Sequence, residues 1–561
     1  MMLAQKQASR ALPVIAAFTA FAGFCALQIW AYALAGAFEY PLDDPYIHLA
    51  MAKGIARGTY GVNAGEVASA ASSILYPVLL LPLVGSKVQI FAPMIVNALA
   101  VTGAGALWGG ILAAAGYRGT LALALAGVGP LALNMHGVAF SGLEHELHVG
   151  ASLLMLLGID RLVRRGRVAW WFAAAIVAAP LLRLEGLALS GLSLCVLAIY
   201  RRFGWALSLC AAVAATLGGF MAYLASLGLP PLPGSVIAKL SQVSAPQGGG
   251  VDAFLTRLAE GFTTNLWHQG GLILGALVVL TILIPIFAPR MREGGRMVIL
   301  RVAGGAGLAH LALGQVGWMD RYEHYAIVTL VSALLLSMAG LSGRDHLRMA
   351  GVIAIAFVLS ISAYQPKLIK DYVWGPWVLH VQHAQMARFA RLVEAPVAVN
   401  DLGRVTLDNP NYVLDIMGLG NAEALAQRQA RPANDVTWLE PLLKSHDVQV
   451  AMVYDNWFGG EMKSTGWTRI GTLAQRPSLR HPEPILGPAG SIEVAFYAPP
   501  DVAERMTALA VDWAKDLPEG AQFKLGLRAG DGEILTRDGG IGTGALGGQT
   551  VGDIRPVAGE P

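Results

Sequence analysis

The sequence predicts a polytopic α-helical membrane protein carrying a C-terminal α/β domain, and three observations predict it. Of its 561 residues 55% are hydrophobic and 14% charged, against about 25% charged in an average soluble protein. About eleven apolar segments before residue 365 approach the roughly 17–25 residues that a membrane-crossing helix requires. Basic and acidic residues gather in alternate connections between those segments. The totals, Lys+Arg 40 against Asp+Glu 37 for a net charge of +3, give no reason to expect nucleic acid as a partner. Cys25, Cys195 and Cys210 all lie in apolar runs. They read as small buried hydrophobes, not as a disulfide or metal framework.

Taken in order, the segments lie near 11–36, 92–115, 120–139, 145–161, 168–182, 186–200, 203–227, 271–288, 297–316, 325–341 and 349–364. The stretch 72–86 carries Pro77 and Pro82 and reads as re-entrant or interfacial. The first segment follows Lys6 and Arg10 but is long for a cleaved signal sequence, so it is expected to stay as an anchor. With the N-terminus inside, the inner connections receive 15 of the 22 basic residues before 365, among them Arg161, Arg164, Arg165 and Arg167. That is the asymmetry expected of cytoplasmic loops. The outer side receives 11 of the 14 acidic residues. An odd number of spans then puts everything after 365 outside. The chain therefore divides into a multi-span domain over 1–364, a periplasmic α/β domain over 365–518 and a tail over 519–561.

In the α/β domain, His380 to Leu392 reads as an amphipathic helix. Pro396 to Asn400 and Val448 to Tyr454 read as short buried strands, with a helical stretch near 433–445 between them. The tail is rich in Gly without sustained period and is expected to be poorly ordered.

The residues suited to chemistry fall in the outer connections. Pro41-Leu-Asp-Asp-Pro-Tyr-Ile-His48 opens what reads as a short amphipathic helix at the membrane surface, with Asp43 and Asp44 at its N-terminal end, where the helix dipole favours acids. Two adjacent carboxylates followed by Tyr46 and His48 exceed what a cap needs. A carboxylate beside another has its pKa pushed up, which suits a general base. Ser141-Gly-Leu-Glu-His-Glu-Leu-His148 offers Glu144, His145 and His148. Its blander reading is a Ser141/Glu144 capping box, and a lone His-x-x-His is a weak metal signal. Arg183 and Glu185 sit between two apolar runs, where ionisable groups are costly and mark sites by default. Lys239 stands alone in a long uncharged stretch, and Arg321, Tyr322 and Glu323 lie in Trp318-Met-Asp-Arg-Tyr-Glu-His-Tyr325. Lys239 and Arg321 are candidate phosphate ligands, Lys as a point charge and Arg as a planar fork. There is no Gly-x-x-x-x-Gly-Lys-[Ser/Thr] loop, no Gly-x-Gly-x-x-Gly following a strand and no Gly-x-Ser-x-Gly elbow. Nucleotide binding and serine hydrolysis therefore have no support.

The order of these pieces resembles the bacterial GT-C membrane glycosyltransferases. A first span is followed by Asp43-Asp44-Pro-Tyr-Ile, and a third by Ser141-Gly-Leu-Glu144. The nearest groups are the protein-mannosyltransferase-like family 39 enzymes and the arabinofuranosyltransferases with an Asp-Asp-Ala-Tyr-Ile loop. Asn63-Ala-Gly-Glu66 with Ser72-Ser73, Leu232 to Lys239, Asn400-Asp-Leu-Gly403 and Leu414 to Gly420 fit the same pattern. The resemblance covers about 11–500. It implies inverting transfer of a sugar from a polyprenyl-phosphate donor to a glycan, lipid or protein acceptor of the cell envelope, on the periplasmic side of a bacterial inner membrane. By carry-over, the general base is one of Asp43 and Asp44, with Asp43 favoured, and Lys239, Arg321 and Arg183 stabilise the departing phosphate. Some relatives use a divalent cation, Mg or Mn, near the acidic pair and others do not. Pro45 stands where the arabinofuranosyl pattern commonly has Ala, and Gly234 where it has Asn, so the pattern does not name the sugar.

Two other functions remain open on the sequence. A transporter or lipid-linked glycan flippase would use Asp44, Arg183 and Glu185 as a charged pathway. A non-catalytic assembly factor would use the α/β domain to bind a partner.

Overall fold

The computed structural model describes residues 2–237, 251–287, 295–337, 343–432, 435–477, 483–525 and 533–535. The chain forms two compact units, one of residues 1–33 with 71–373, the other of 34–70 with 374–561. The second unit thus takes in the segment 34–70, which the sequence had grouped with the multi-span domain.

The first unit is helical. Each predicted span coincides with a helix, from Met2–Ala35 through Ala92–Ala114, His145–Arg165, Trp170–Leu182, Gly186–Ile199, Phe203–Ser226, Gln269–Phe287, Arg296–Leu313 and His324–Ser337 to Gly343–Lys367. The segment near 120–139 is two helices, Gly119–Ala132 and Met135–Phe140, interrupted where Asn134 takes a left-handed φ of 55°. Among the described residues, five helices are long and apolar enough to cross a membrane, over 10–35, 89–114, 203–226, 269–286 and 296–313. Others, such as Trp170–Leu182 and Gly186–Ile199, are shorter. The stretch 72–86 holds two short helical pieces, Tyr76–Leu80 and Leu81–Leu83.

Small residues let these helices approach. A Cβ on Gly105 would lie 2.6 Å from the Ala16 carbonyl oxygen, and one on Gly109 2.3 Å from that of Leu12. This Gly-x-x-x-Gly face allows Ala92–Ala114 to touch the first helix backbone to backbone, a contact in which van der Waals packing replaces the hydrophobic drive that lipid cannot supply. Trp108 Nε1 donates to the Leu125 carbonyl at 2.9 Å and ties in the next helix. The cysteines are free, and Cys195 and Cys210 are exposed on their apolar helices, not buried as their surroundings in sequence suggested.

The second unit is built on one seven-stranded sheet. Its strands are β1 Val397–Val399, β2 Val413–Asp415, β3 Val450–Val453, β4 Thr468–Gln475, β5 Glu493–Ala498, β6 Ala521–Leu525 and β7 Glu533–Leu535, in the order β2-β1-β3-β5-β4-β6-β7. The strands β2-β1-β3 run parallel and the remainder pair antiparallel. The parallel strands are buried throughout, which explains their continuous apolar runs. Ala398, Leu414, Leu443, Val453, Phe458 and Tyr497 share one core cluster. The expected helix over 380–392 is two, Gly375–Val381 and His383–Leu392, separated at Gln382, and the helix near 433–445 covers Leu439–Ser445. Residues 521–525 of the expected disordered tail are strand β6, paired with β4. Ala521-Gln-Phe-Lys-Leu525 does alternate apolar and polar residues, but five residues bordering a Gly-rich stretch make too short a run to stand out. Residues 536–561 lie outside the described residues.

Candidate functional site

The acidic pair enters the second unit at a helix start. Asp44–Ala56 is helical with Pro45 in its first turn, where proline's missing N–H costs nothing. Nine of its thirteen residues are buried, among them Tyr46, His48 and Leu49. It is therefore a core helix, not the amphipathic surface helix expected from the spacing of Leu49, Ala52 and Ile55. Asp44 is half-buried, whereas Asp43 is 7% exposed. Both oxygens of Asp43 accept backbone amides, Oδ2 from Gly403 and Oδ1 from Arg404, at 2.5 and 2.8 Å. Asp43 thus caps the short helix Gly403–Thr406 from outside its own segment. A Cβ at position 403 would lie 2.3 Å from the Asp43 carbonyl oxygen, so only glycine admits this approach. Burial pushes the Asp43 carboxyl up to about 7; His383 opposes the rise, Asp401 adds to it, and the two amides oppose it.

The same place is the switch point of the parallel strands. The chain leaves β1 for β2 on one side, then returns to β3 on the other, and the carboxyl ends of strands at such a switch point are where these sheets bind ligands. Asn400 and Asp401 follow β1, and Tyr454 follows β3. Asn400 Oδ1 accepts the Tyr454 amide at 2.8 Å and holds the two strand ends together. His383 Nε2 lies 3.2 Å from Asp401 Oδ2, and the Tyr454 hydroxyl lies 3.1 Å from each. The same hydroxyl donates to Gln382 Oε1 at 3.0 Å. Asp43, His383 and Asp401 bring potential ligand atoms within 4.8 Å of one another.

Further ties hold the segment 34–70 in this unit. Arg404 donates to Glu39 through Nε at 3.0 Å and Nη2 at 3.2 Å, and its guanidinium stands 5.4 Å over the Tyr46 ring. Tyr46 also donates to Glu39. Asn63 pairs with edge strand β2 as another strand would, accepting from the Val413 amide at 3.1 Å and donating to its carbonyl at 2.9 Å. Glu66 accepts from Asn63, Tyr412 and Asn421 at 2.7, 3.1 and 2.6 Å.

In the first unit a second group assembles around Arg183. Its Nη1 donates to Glu144 at 2.8 Å and its Nη2 to Glu185 at 2.9 Å. Arg183 and Arg321 stand 5.3 and 5.1 Å from the Tyr322 ring centre, and His145 packs edge-on against that ring. The loop before Arg321 is strained: Trp318, Met319 and Asp320 take left-handed φ angles of 48°, 63° and 52°, at about 1–2 kcal/mol each. Lys367 donates to Asp320 at 2.8 Å and Tyr372 to the Met319 carbonyl at 2.5 Å, which holds the turn. Glu323 accepts the Gly317 amide at 3.0 Å, and burial, with Asp320 adding, raises its carboxyl to about 8.

The expected capping box is absent. Ser141 Oγ donates to the Val138 carbonyl at 2.6 Å, and Glu144 turns its carboxylate to Arg183 instead, since a buried guanidinium needs a charged partner more than an amide does. Among the described residues, His145 and His148 belong to no group of metal-ligating side chains; His148 packs on Tyr325 at 4.2 Å between ring centres. Lys239 lies outside the described residues.

Sequence reasoning missed several polar groups. Glu146 pairs with His324 at 2.7 Å, both fully buried. Arg404, His383, Asp401 and Tyr454 all sit at the switch point. The signal for the first pair was its place in apolar helices. For the others it was their position just past, or packed against, the ends of strands that were legible.

Residues 376–497 match a family model described as a domain of unknown function (DUF8728). The match spans His383, Asp401 and Tyr454. No curated protein matches the chain.

Proposed function

We propose that the chain is an integral-membrane glycosyltransferase of GT-C type in a bacterial inner membrane, with about eleven spans, the N-terminus inside and the α/β unit in the periplasm. It transfers a sugar from a polyprenyl-phosphate donor to an envelope acceptor with inversion. In this reaction the acceptor hydroxyl oxygen attacks the anomeric carbon. The bond from that carbon to the phosphate oxygen breaks with its electron pair on the phosphate, and the hydroxyl proton passes to an aspartate. The acidic pair divides the work. Asp43 is buried and fixed by two backbone amides, so it positions the loop, and the more exposed Asp44 takes the proton. Arg183 and Arg321, brought to one tyrosine ring, stabilise the charge developing on the phosphate. The observation that carries the reading is this acidic helix start, anchored by buried hydrogen bonds that a mere surface cap would not need.

The test is release of polyprenyl phosphate from a panel of polyprenyl-phosphate sugars by the purified protein. Asp44→Asn is expected to lose transfer while inserting and folding normally. Transfer at the wild-type rate in both Asp44→Asn and Asp43→Asn would overturn the reading. The buried Glu146–His324 pair within apolar helices favours one second reading, a lipid-linked glycan flippase. Flipping of a labelled lipid-linked sugar in proteoliposomes without phosphate release would establish it instead.

A further inference from the structure

We propose that Asp43, His383 and Asp401 form a divalent-metal site suited to Mn2+ or Zn2+. Their ligand atoms lie within 4.8 Å of one another, and among the described residues no other trio of such side chains does. Three separate segments supply them: the start of the helix Asp44–Ala56, the start of His383–Leu392 and the turn after β1. Nothing local in the chain requires that meeting.

The donor set fits a cation chemically. Two carboxylates and an imidazole, with Asp43 and His383 only 7% and 1% exposed, offer the oxygen and nitrogen donors that a divalent transition-metal ion takes. Each Asp43 oxygen keeps a lone pair beyond the amide it accepts, since a carboxylate oxygen has two. The imidazole discriminates among metals, because Mg2+ prefers oxygen ligands whereas Zn2+ and Mn2+ accept nitrogen. The strand order places the trio at the switch point between β1 and β3, where parallel sheets bind ligands. The Tyr454 hydroxyl, within hydrogen-bond reach of both Asp401 and His383, orients two of the three ligands as metal sites commonly require.

The site shares Asp43 with the proposed transfer machinery, so its test reads metal and not sugar. The full chain, purified in detergent and stripped with a chelator, is titrated with MnCl2 and followed by electron paramagnetic resonance. One Mn2+ per chain is expected, with nitrogen hyperfine coupling from an imidazole. His383→Gln should remove that coupling, and both it and Asp401→Asn should weaken binding at least about tenfold. His446→Gln, on a ring stacked against Tyr412, should leave binding unchanged. Thermal unfolding checks that each variant folds. Asp401, whose side chain is 29% exposed, keeps the test decisive if the buried His383 does not tolerate change. No binding up to about millimolar Mn2+, or wild-type binding in Asp401→Asn, would overturn the proposal.

Discussion

Arg183 shows how much a single residue carries in this chain. Its pairing with Glu144 is buried on both sides, with side-chain exposures of 4% and 0%. Arg183→Met leaves a carboxylate buried without its cation and is expected to cost about 3–5 kcal/mol, read as a lowered unfolding temperature in detergent. Glu144→Gln in the same molecule should recover much of that stability without restoring transfer. A double variant no more stable than Arg183→Met alone would show that the cost lies elsewhere. The sequence identified Arg183 through the expense of an ion among apolar runs, yet for Glu144 it offered a substrate contact or a backbone cap and not this pairing. Whether a carboxylate meets an amide or a guanidinium 39 positions away is a matter of packing, which no local spacing encodes.

Among elements, the segment 34–70 was read least well. Asn63 and Glu66 were noticed in sequence as pieces of a pattern, but their role is to cover the open edge of β2, which would otherwise expose unpaired backbone groups. Asn63→Ala removes two buried hydrogen bonds to Val413 and is expected to cost about 1–3 kcal/mol. Hydrogen exchange should rise in residues 59–70 and 412–421 while the helices of the first unit stay protected. Unchanged exchange there would mean that the edge is held by other groups. The helix pair at Gly109 makes the complementary case. Gly109→Val puts side-chain atoms where the Leu12 carbonyl stands 2.3 Å from even a Cβ, so it should lower the yield of folded protein far more than Gly110→Val. Gly110 meets nothing within 4 Å, and equal yields would discount the close helix contact.

For the whole molecule, the sidedness of charge is the testable property. Reporter fusions at 165 and 450 are expected to report cytoplasmic and periplasmic positions respectively, following the clustering of arginines in alternate connections. A cytoplasmic result at 450 would remove the acidic pair and the α/β unit from the side on which a polyprenyl-phosphate donor is used. The helices themselves were legible because hydrophobic length is written locally, about one apolar run per element. Of the parallel strands, β1 and β3 were legible for the same reason, being short apolar runs, whereas β2 was not read as a strand. Strand β6 was not read either, because its five alternating residues border a Gly-rich stretch and its place is fixed by pairing with β4.

By itself the sequence determined that this is a helical, membrane-compatible chain with a distinct α/β portion, and where most of its apolar helices lie. Those properties depend on composition and on periods of a few residues. Tertiary structure alone decided that Asp43 caps a helix 360 positions away, that His383 and Asp401 join it, and that Glu144 answers Arg183. Each is a meeting of side chains from separate segments at a buried place, where the energy of an unpaired polar group selects the partner and sequence distance has no bearing.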